Sequence, residues 1–350
     1  MKLVRPTSIG AGLTLVTTNA PEAPPAAYSS GTTYAEGAQV SVLQGDGFTL
    51  RVYRSLGNAN AGNPVTDGNW WQYLADTYAA YDAGATYGAG YRVVSTITHR
   101  QYESVAAGNL GHGLDEPAWW IDLGPTNPYA MFDQANSTQT GVAGAVEFEV
   151  SVAGRADAIA LLNLVAANVD IEMSTAADGV VFSQSINLVS DSGVTDWYQY
   201  YFEPIVRKGD LVVYGLPNYA NPTFKVVVHE PASTAKVGVT IVGQSRELGE
   251  LLPGAKTGIM DFSRKETDDF GNFTIVQRAY AKRGSYKVLM DNARIDSVSA
   301  LLATYRAEAI LWLGLDRYTS TWVYGFYRDY NVEIFDYSQS YLTLELEGLT

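Results

Sequence analysis

The sequence predicts a mainly β protein made of several small domains. Short segments that alternate apolar and polar residues follow one another with turn residues between them, a pattern typical of antiparallel sheets. A module of about fifty residues occurs twice, and one segment near the C-terminus has helical spacing. With 350 residues, the chain has the length of two to four domains.

The residues before the repeat form an N-terminal segment, 1–25. This segment begins with "MKLVRP" and continues into an apolar stretch that faintly resembles a secretory signal. The stretch is short, contains two glycines and follows a proline, so we predict no signal peptide.

The repeat is marked by the phrases "GTTYAEGAQV" at 31–40 and "GATYGAGYRV" at 84–93. An Ala-Tyr pair precedes each phrase, and a tandem tryptophan follows each one further along the chain. Four extra residues in copy 1 fall around Gly45-Asp46-Gly47, where an alternating pattern predicts a β-hairpin. We therefore predict two three-stranded β modules, copy 1 at 26–76 and copy 2 at 77–124, with Gly37 and Gly90 in equivalent turns.

The aromatic residues of the modules permit two interpretations. They form the miniature core of a very small domain, or they present a surface on which a sugar ring stacks. Neighbouring strand residues point to opposite faces, so one tryptophan of each pair should be buried and the other partly exposed. The candidates are Tyr28, Tyr34, Trp70 and Trp71 in copy 1, and Tyr81, Tyr87, Trp119 and Trp120 in copy 2.

These aromatic residues carry a family resemblance, together with Tyr53, Tyr102 and the loop before each tandem tryptophan. The modules resemble the small chitin-binding modules that are attached to bacterial chitinases. The resemblance implies that a surface aromatic pair stacks against a polysaccharide. This chain departs from that family because its module is duplicated and no catalytic domain is attached to it.

Residues 125–245 have short predicted strands separated by turns, which indicates an antiparallel β-sandwich of jelly-roll type. The stretch "DWYQYYFEPI" places aromatic residues on both faces of one predicted strand, 197–202, which favours burial on one side and a partner on the other. Tyr198 and Tyr200 are therefore interface candidates. The other predicted strands span 144–152, 158–164, 168–173, 180–188, 211–216, 223–229 and 236–242.

Residues 246–350 have the pattern of an α+β assembly domain with one helix on an antiparallel sheet. The helix follows the N-cap candidates Asp291 and Asn292, and its apolar residues have helical spacing. The charged stretch "DFSRKETDDFGN" at 261–272 does not match a calcium-binding hand, so we interpret it as a solvated or subunit-bridging loop. Its interface candidates are Arg264, Lys265, Asp268 and Asp269. Strands are predicted at 272–280, 286–290, 309–315, 323–334 and 340–346.

Composition and motifs exclude several classes of function. The chain has no cysteine for a disulfide scaffold, and its formal net charge of −14 argues against a nucleic-acid partner. The three histidines are too scattered for a metal site, and catalytic motifs are missing. The longest apolar run, at 158–169, is too short to cross a membrane and better fits a pair of buried strands. We predict no enzymatic activity, cofactor, metal site or membrane insertion.

Phrases along the whole chain resemble a family of structural proteins from the tails of bacteriophages: "MKLVRP", "DLGPTNPYAMFD", "DWYQYYFEPI", "GIMDFSRKETDDFGN" and "LELEGLT". The resemblance implies a symmetric homo-oligomer in the virion tail that contacts other tail proteins. It also implies that the modules interrupt the body, so the segment 1–25 should pack on the body while the modules project outward towards a host-surface glycan.

Two other functions agree less well with the sequence than a tail component does. A stand-alone secreted carbohydrate-binding protein is disfavoured because no signal peptide is predicted. A glycan-degrading tailspike is disfavoured because neither paired carboxylates nor a long repetitive β-helix is visible in the sequence.

Overall fold

A computed structural model of the chain describes residues 1–189, 196–202, 207–267 and 270–349. Strands take up 53% of the chain and helices 8%, which confirms the mainly β prediction. The interface candidates Asp268 and Asp269, and the side chain of Tyr200, lie outside the described residues.

The N-terminal segment contributes one strand to each part of the body. Strand β1 (Lys2–Val4) lies in the C-terminal sheet, and β2 (Leu13–Thr18) forms an edge of the sandwich. Between them the segment passes so close to Gly243 that a Cβ at that position would overlap the carbonyl oxygen of Arg5. The segment is therefore an integral part of the body, although both modules separate it from the rest in sequence.

The two modules have the same internal topology. In each copy the three longer strands form one antiparallel sheet and the two short strands pair separately, so the predicted three-stranded sheet is present twice. Gly37 and Gly90 have φ angles of 81° and 79°, and their amides donate to the carbonyls of Ser55 and Ser104, so the predicted turns are equivalent. The strands of copy 1 are β3 (Thr33–Tyr34), β4 (Gln39–Leu43), β5 (Thr49–Ser55), β6 (Asn60–Ala61) and β7 (Trp71–Tyr78). Those of copy 2 are β8 (Thr86–Tyr87), β9 (Arg92–Ser95), β10 (Arg100–Ser104), β11 (Asn109–Leu110) and β12 (Trp120–Pro125).

The sandwich packs a five-stranded antiparallel sheet against a three-stranded one. The order is β16-β15-β18-β13-β2 in the larger sheet and β17-β14-β19 in the smaller. A 3-10 helix, Asn127–Phe132, buries Met131 and Phe132 in the core. The strands are β13 (Thr140–Val152), β14 (Ala158–Leu162), β15 (Asn168–Thr175), β16 (Gly179–Asn187), β17 (Leu211–Tyr214), β18 (Thr223–Val237) and β19 (Val239–Gly243).

The prediction of a strand at 197–202 is wrong, because these residues form a short helix, α1 (Trp197–Phe202). In a helix, side chains four residues apart lie on one face. Trp197 stacks on Tyr201 with ring centroids 6.3 Å apart, and Tyr198 packs on Phe202 at 4.9 Å. The aromatic spacing therefore matches a helical period, which the strand interpretation overlooked.

The C-terminal body is an eight-stranded sheet with one helix, α2 (Ile295–Thr304), packed on it through Val298 and Leu302. Asp291 caps the 3-10 turn that leads into α2, since its Oδ1 accepts from the amide of Ala293 at 2.8 Å. The predicted strand 272–280 is in fact interrupted between β24 and β25. The sheet consists of β1 and seven further strands: β20 (Ser245–Glu247), β21 (Glu250–Leu251), β22 (Lys256–Asp261), β25 (Tyr280–Asp291), β26 (Ile310–Leu313), β27 (Trp322–Ile334) and β28 (Gln339–Gly348). Strands β23 (Arg264–Thr267) and β24 (Phe273–Val276) pair with each other.

The small sheet of the sandwich is buried on both faces. Ile159 and Leu161 of β14 point into the sandwich core, whereas the alternating residues Ala158, Ala160 and Leu162 belong to a second core. That second core includes residues of β1, β26 and β27 from the C-terminal sheet. The body is therefore three layers of β-sheet.

Copy 1 does not project freely from the body, which corrects one expectation from the sequence. Val52 and Leu74 of copy 1 are part of the sandwich core. Gln72 Nε2 donates to the Ala143 carbonyl at 3.0 Å, and Arg54 forms an ion pair with Glu147 at 3.3 Å. Copy 1 is thus anchored by one sheet face to strand β13.

Copy 2 has a core of its own and contacts the body at one turn, where His99 stacks on Tyr129 and its Nδ1 lies 2.8 Å from Glu22 Oε1. Tyr87, Val93, Tyr102 and Trp120 form that core. Leu123, the residue equivalent to Leu74, is 43% exposed, whereas Leu74 is 1% exposed. The sheet face that is covered at Leu74 in copy 1 is therefore exposed at Leu123 in copy 2.

The pair Leu74 and Leu123 gives a matched test of this difference. We expect Leu74→Ala to lower the free energy of unfolding by about 2–4 kcal/mol because it leaves a cavity in the sandwich core. Leu123→Ala should change it by less than about 0.5 kcal/mol. Urea denaturation of both variants measures the difference, and equal losses would contradict the anchoring of copy 1.

Candidate functional site

Three aromatic residues pack together at the centre of copy 1. Tyr28 and Tyr34 stack with their ring centroids 6.1 Å apart. Trp71 meets both rings edge-on, at 5.8 Å from Tyr28 and 5.1 Å from Tyr34. Edge-to-face packing at these distances is favourable because the positive ring edge faces the negative ring face. Three of the four copy 1 candidates thus form one cluster.

Copy 2 repeats the cluster with nearly identical geometry. Tyr81 and Tyr87 lie 6.2 Å apart, and Trp120 lies edge-on at 5.7 Å and 5.2 Å from them. Each distance differs by 0.1 Å from its counterpart in copy 1. Two sequences that differ at many positions therefore build the same aromatic arrangement.

The polar atoms of the clusters are satisfied inside the modules. Trp71 Nε1 and the Tyr28 hydroxyl both donate to the Asn63 carbonyl, at 3.0 Å and 2.9 Å. In copy 2, Trp120 Nε1 and the Tyr81 hydroxyl both donate to the His112 carbonyl, at 3.1 Å and 2.7 Å. A buried indole or phenol needs such a partner. These contacts support a structural role for the six clustered rings.

The remaining tyrosine hydroxyls close a short loop in each module. The Tyr34 hydroxyl accepts from the amide of Ser29 at 2.8 Å, and the Tyr87 hydroxyl accepts from the amide of Asp82 at 2.7 Å. Burial raises the pKa of the Tyr87 hydroxyl. The Tyr87 hydroxyl therefore stays neutral near pH 7. Both hydroxyls donate to one backbone carbonyl and accept from one backbone amide.

Sequence reasoning aligned Asn60 with Asn109 but gave neither residue a role. Both side chains are buried, and each Nδ2 donates to a serine hydroxyl at 3.0 Å and to the carbonyl of the first tryptophan at 3.3 Å. The partners are Ser55 and Trp70 in copy 1, and Ser104 and Trp119 in copy 2. A serine and an asparagine recur at the same spacing in both copies, and this recurrence is the sequence pattern that could have identified the pair. The asparagine fixes the backbone at the point where the two tryptophans diverge.

Trp70 and Trp119 are the candidates that remain partly open to solvent. As the alternation predicts, their neighbours Trp71 and Trp120 are buried, each 3% exposed, whereas Trp70 and Trp119 are half-buried. The ring of Trp70 lies over Gly57, where a Cβ would come within 3.3 Å of Cζ3. The absence of a side chain at Gly57 lets the indole lie close to the backbone there.

Trp119 is supported from below by a histidine. The rings of His112 and Trp119 are 3.9 Å apart and nearly parallel, at 11°. His112 Nδ1 lies 3.0 Å from Glu116 Oε2, and the amide of Gly113 donates to Glu116 Oε1 at 2.8 Å. The Gly113 amide and then His112 lower the pKa of the Glu116 carboxyl, so it is ionised near pH 7. The ring of Trp119 is thereby held in place and stays half-buried.

The interface candidates lie elsewhere on the chain. Tyr198 is exposed on α1, and Arg264 and Lys265 are exposed on β23. Arg264 pairs with Glu266 at 3.0 Å, and the Lys265 ammonium lies 4.4 Å from the centre of the Phe273 ring. Arg264 and Lys265, for which the sequence suggested ion pairs across an interface, thus have contacts within the hairpin of β23 and β24.

No model of a known protein family matches the chain, and a search of curated proteins also found no match. Over the parts of the chain that the structure describes, no group of three or more histidine, aspartate or glutamate residues is placed to hold a metal ion. In the same parts, no helix has the length and apolar character needed to span a membrane. The aromatic surfaces of the modules are therefore the basis for a functional proposal.

The two tryptophans of copy 2 should differ sharply in what they do for folding. We expect Trp120→Ala to lower the free energy of unfolding by roughly 3–5 kcal/mol, because it empties the centre of the small core. Trp119→Ala should cost no more than about 1 kcal/mol, since half-exposed side chains contribute little. Thermal and urea unfolding of both variants test this. A large loss for Trp119→Ala would assign that ring to packing alone.

Proposed function

We propose that this protein is a non-enzymatic structural component of a bacteriophage tail. Its β body assembles with other copies and other tail proteins, and its two aromatic modules assist attachment to a host-surface glycan. The proposal rests on the resemblance of the whole sequence to tail proteins and on the way the modules are built into the body.

The observation that carries the proposal is the position of the insertion. Strands β2 and β13 are antiparallel neighbours in one sheet, and both modules lie between them in sequence. The modules thus occupy the place of a hairpin connection, where an insertion leaves the ladder of the sheet intact. A complete body with modules inserted at one loop is the arrangement expected of a scaffold that displays binding domains.

The body also presents aromatic side chains that suit an assembly surface. Trp197 of α1 is 76% exposed, and Tyr198, Tyr201 and Phe202 are exposed beside it. Exposed aromatic clusters of this kind mark protein contacts, since interfaces are enriched in tyrosine, tryptophan and phenylalanine. The helix supports the expectation of protein partners in the tail.

For glycan binding, Trp70 and Trp119 are the two proposed stacking surfaces. Each indole would bury the apolar face of a sugar ring, and two sites on one chain would reinforce each other by avidity. Symmetric assembly would multiply the number of sites further. Weak binding at each module is then sufficient for stable attachment to a polymeric surface.

The tail assignment predicts where the protein is found. Antibodies raised against the body should label the tails of intact particles in electron micrographs, and density for this chain should occupy a symmetric position there. Antibodies against a capsid protein serve as the control for accessibility. Recovery of the protein only as a free secreted species would favour the alternative of a stand-alone carbohydrate-binding protein.

The glycan assignment predicts which tryptophans matter. Retention on insoluble chitin, or on cell-wall polysaccharide from the host, should fall about tenfold in the double variant Trp70→Ala/Trp119→Ala. Each single variant should have an intermediate effect. Tyr337→Ala is the control, because it removes a fully exposed aromatic ring that lies outside the modules and outside α1. Absence of binding by the wild type, or equal binding by all variants, would leave the modules with a packing role only.

A further inference from the structure

A surface pocket lies where the N-terminal segment crosses from the C-terminal sheet to the sandwich. Its volume is about 390 Å³, which is in the range of sites for small ligands. Arg5 comes from the N-terminal segment, Arg155 from the loop between β13 and β14, and Arg246 from β20. The fold thus brings to one pocket three arginines that are far apart in the sequence.

The lining of this pocket has a charge opposite to that of the chain. The described residues that line it include the three arginines and no aspartate or glutamate. The whole chain, in contrast, has 37 acidic and 23 basic residues and a formal net charge of −14. A concave surface lined by one sign of charge attracts and concentrates ions of the other sign. The pocket therefore suits an anionic ligand.

The acidic residues that lie close to Arg246 in the structure are directed elsewhere. Alternate residues of a strand share a face, so Ser245 and Glu247 lie on the face of β20 opposite to Arg246. The amide and the hydroxyl of Ser245 both donate to the carboxylate of Asp157, at 2.6 Å and 2.9 Å. Asp157 is thus engaged on that opposite face, and it does not neutralise the pocket.

Two of the three guanidinium groups are held in place by neighbouring side chains. Arg5 Nε and Nη2 donate to the two carboxylate oxygens of Glu308, at 2.8 Å and 2.9 Å, and the guanidinium lies 5.1 Å from the centre of the Tyr305 ring. Arg246 Nη2 donates to Gln244 Oε1 at 3.0 Å. On both arginines, Nη1 has no hydrogen-bond partner among the described residues and can donate to a ligand. A donor that is already oriented loses little entropy when the ligand binds.

The charge of the site matches a phosphate monoester better than a carboxylate. Glu308 offsets one of the three arginine charges, which leaves a net charge of +2. A phosphate monoester carries a charge of about −1.5 to −2 near pH 7, whereas a carboxylate carries a single negative charge. Guanidinium groups also bind phosphate oxygens in a bidentate geometry. Charge and donor geometry therefore both favour phosphate.

We propose that this pocket binds a phosphate group, either as free phosphate or as the monoester of a small organic molecule. Arg5, Arg155 and Arg246 would donate to the phosphate oxygens from three sides. The pocket is formed by the body and contains no residue of the aromatic modules. The inference is therefore independent of the glycan binding and of the tail assembly proposed above.

Isothermal titration calorimetry of the full-length protein with glucose 6-phosphate, at constant ionic strength, tests the proposal. We expect Arg155→Ala/Arg246→Ala to weaken binding roughly tenfold or more, because charged hydrogen bonds to phosphate are lost. Both side chains are exposed and neither forms an ion pair with a described residue, so the variant should keep the stability of the wild type. Arg278→Ala/Arg317→Ala is the matched control, because it removes the same charge from exposed positions outside the pocket.

Three further probes show which part of the ligand is recognised. Glucose controls for binding of the sugar by the modules, glucuronate replaces the phosphate by a carboxylate, and inorganic phosphate lacks the sugar. Binding of glucose 6-phosphate no tighter than that of glucose or glucuronate, or an equal loss in both double variants, would overturn the proposal. Inorganic phosphate that binds as tightly as glucose 6-phosphate would support the site and assign free phosphate as its ligand. Weaker binding of inorganic phosphate would support the site and assign an organic monoester.

Discussion

The burial of β14 and β19 on both faces is the constraint on which the rest of the structure depends. A strand inside three stacked sheets must be apolar along its whole length, and "AIALL" of β14 meets that requirement. The small residues Ala158 and Ala160 allow the C-terminal sheet to approach closely on one side. Ile159 and Leu161 fill the sandwich core on the other side. Because this sheet joins both bodies, the N-terminal segment can contribute a strand to each of them.

The duplicated module shows how one local fold takes on different roles in two settings. Its aromatic cluster is internally complete, since the indole and phenol groups find hydrogen-bond partners in the same copy. The aromatic cluster therefore needs no hydrogen-bond partner from the body. In copy 1, Val52 and Leu74 bury one sheet face against the sandwich. In copy 2 the equivalent positions are Gln101 and Leu123, and Leu123 is exposed, so the two copies share a fold and differ in what covers this face.

The aromatic residues discussed above fall into three groups according to how exposed their rings are. Rings inside the modules have partners for their polar atoms, as at Trp71 and Trp120. Rings on α1 and on β24 are exposed, and exposed aromatic surface is costly unless something covers it. Trp70 and Trp119 are intermediate, since each is held against the module on one side. The proposals for protein contact and for glycan contact follow this division.

Much of the fold was determined by local sequence pattern. The repeat, the turns at Gly37 and Gly90, the buried strands and the C-terminal helix all follow from alternation, helical spacing and glycine chemistry, which act over a few residues. The helical α1 was missed because its aromatic residues fit both periods. The division of each tryptophan pair into one buried and one half-exposed ring was predictable, because neighbouring strand residues point apart. Which ring of each pair is buried was not predictable, because that depends on what packs against each face.

Only the tertiary structure decided that copy 1 is anchored at Leu74 while Leu123 of copy 2 is exposed, and that His112 stacks on Trp119. It also decided that the small sheet of the sandwich is the central layer between the two larger sheets. The anchoring and the order of the layers depend on contacts between residues far apart in the chain, such as Gln72 with Ala143, and no local pattern encodes such a contact. The stack of His112 on Trp119 depends on how the short loop between them folds.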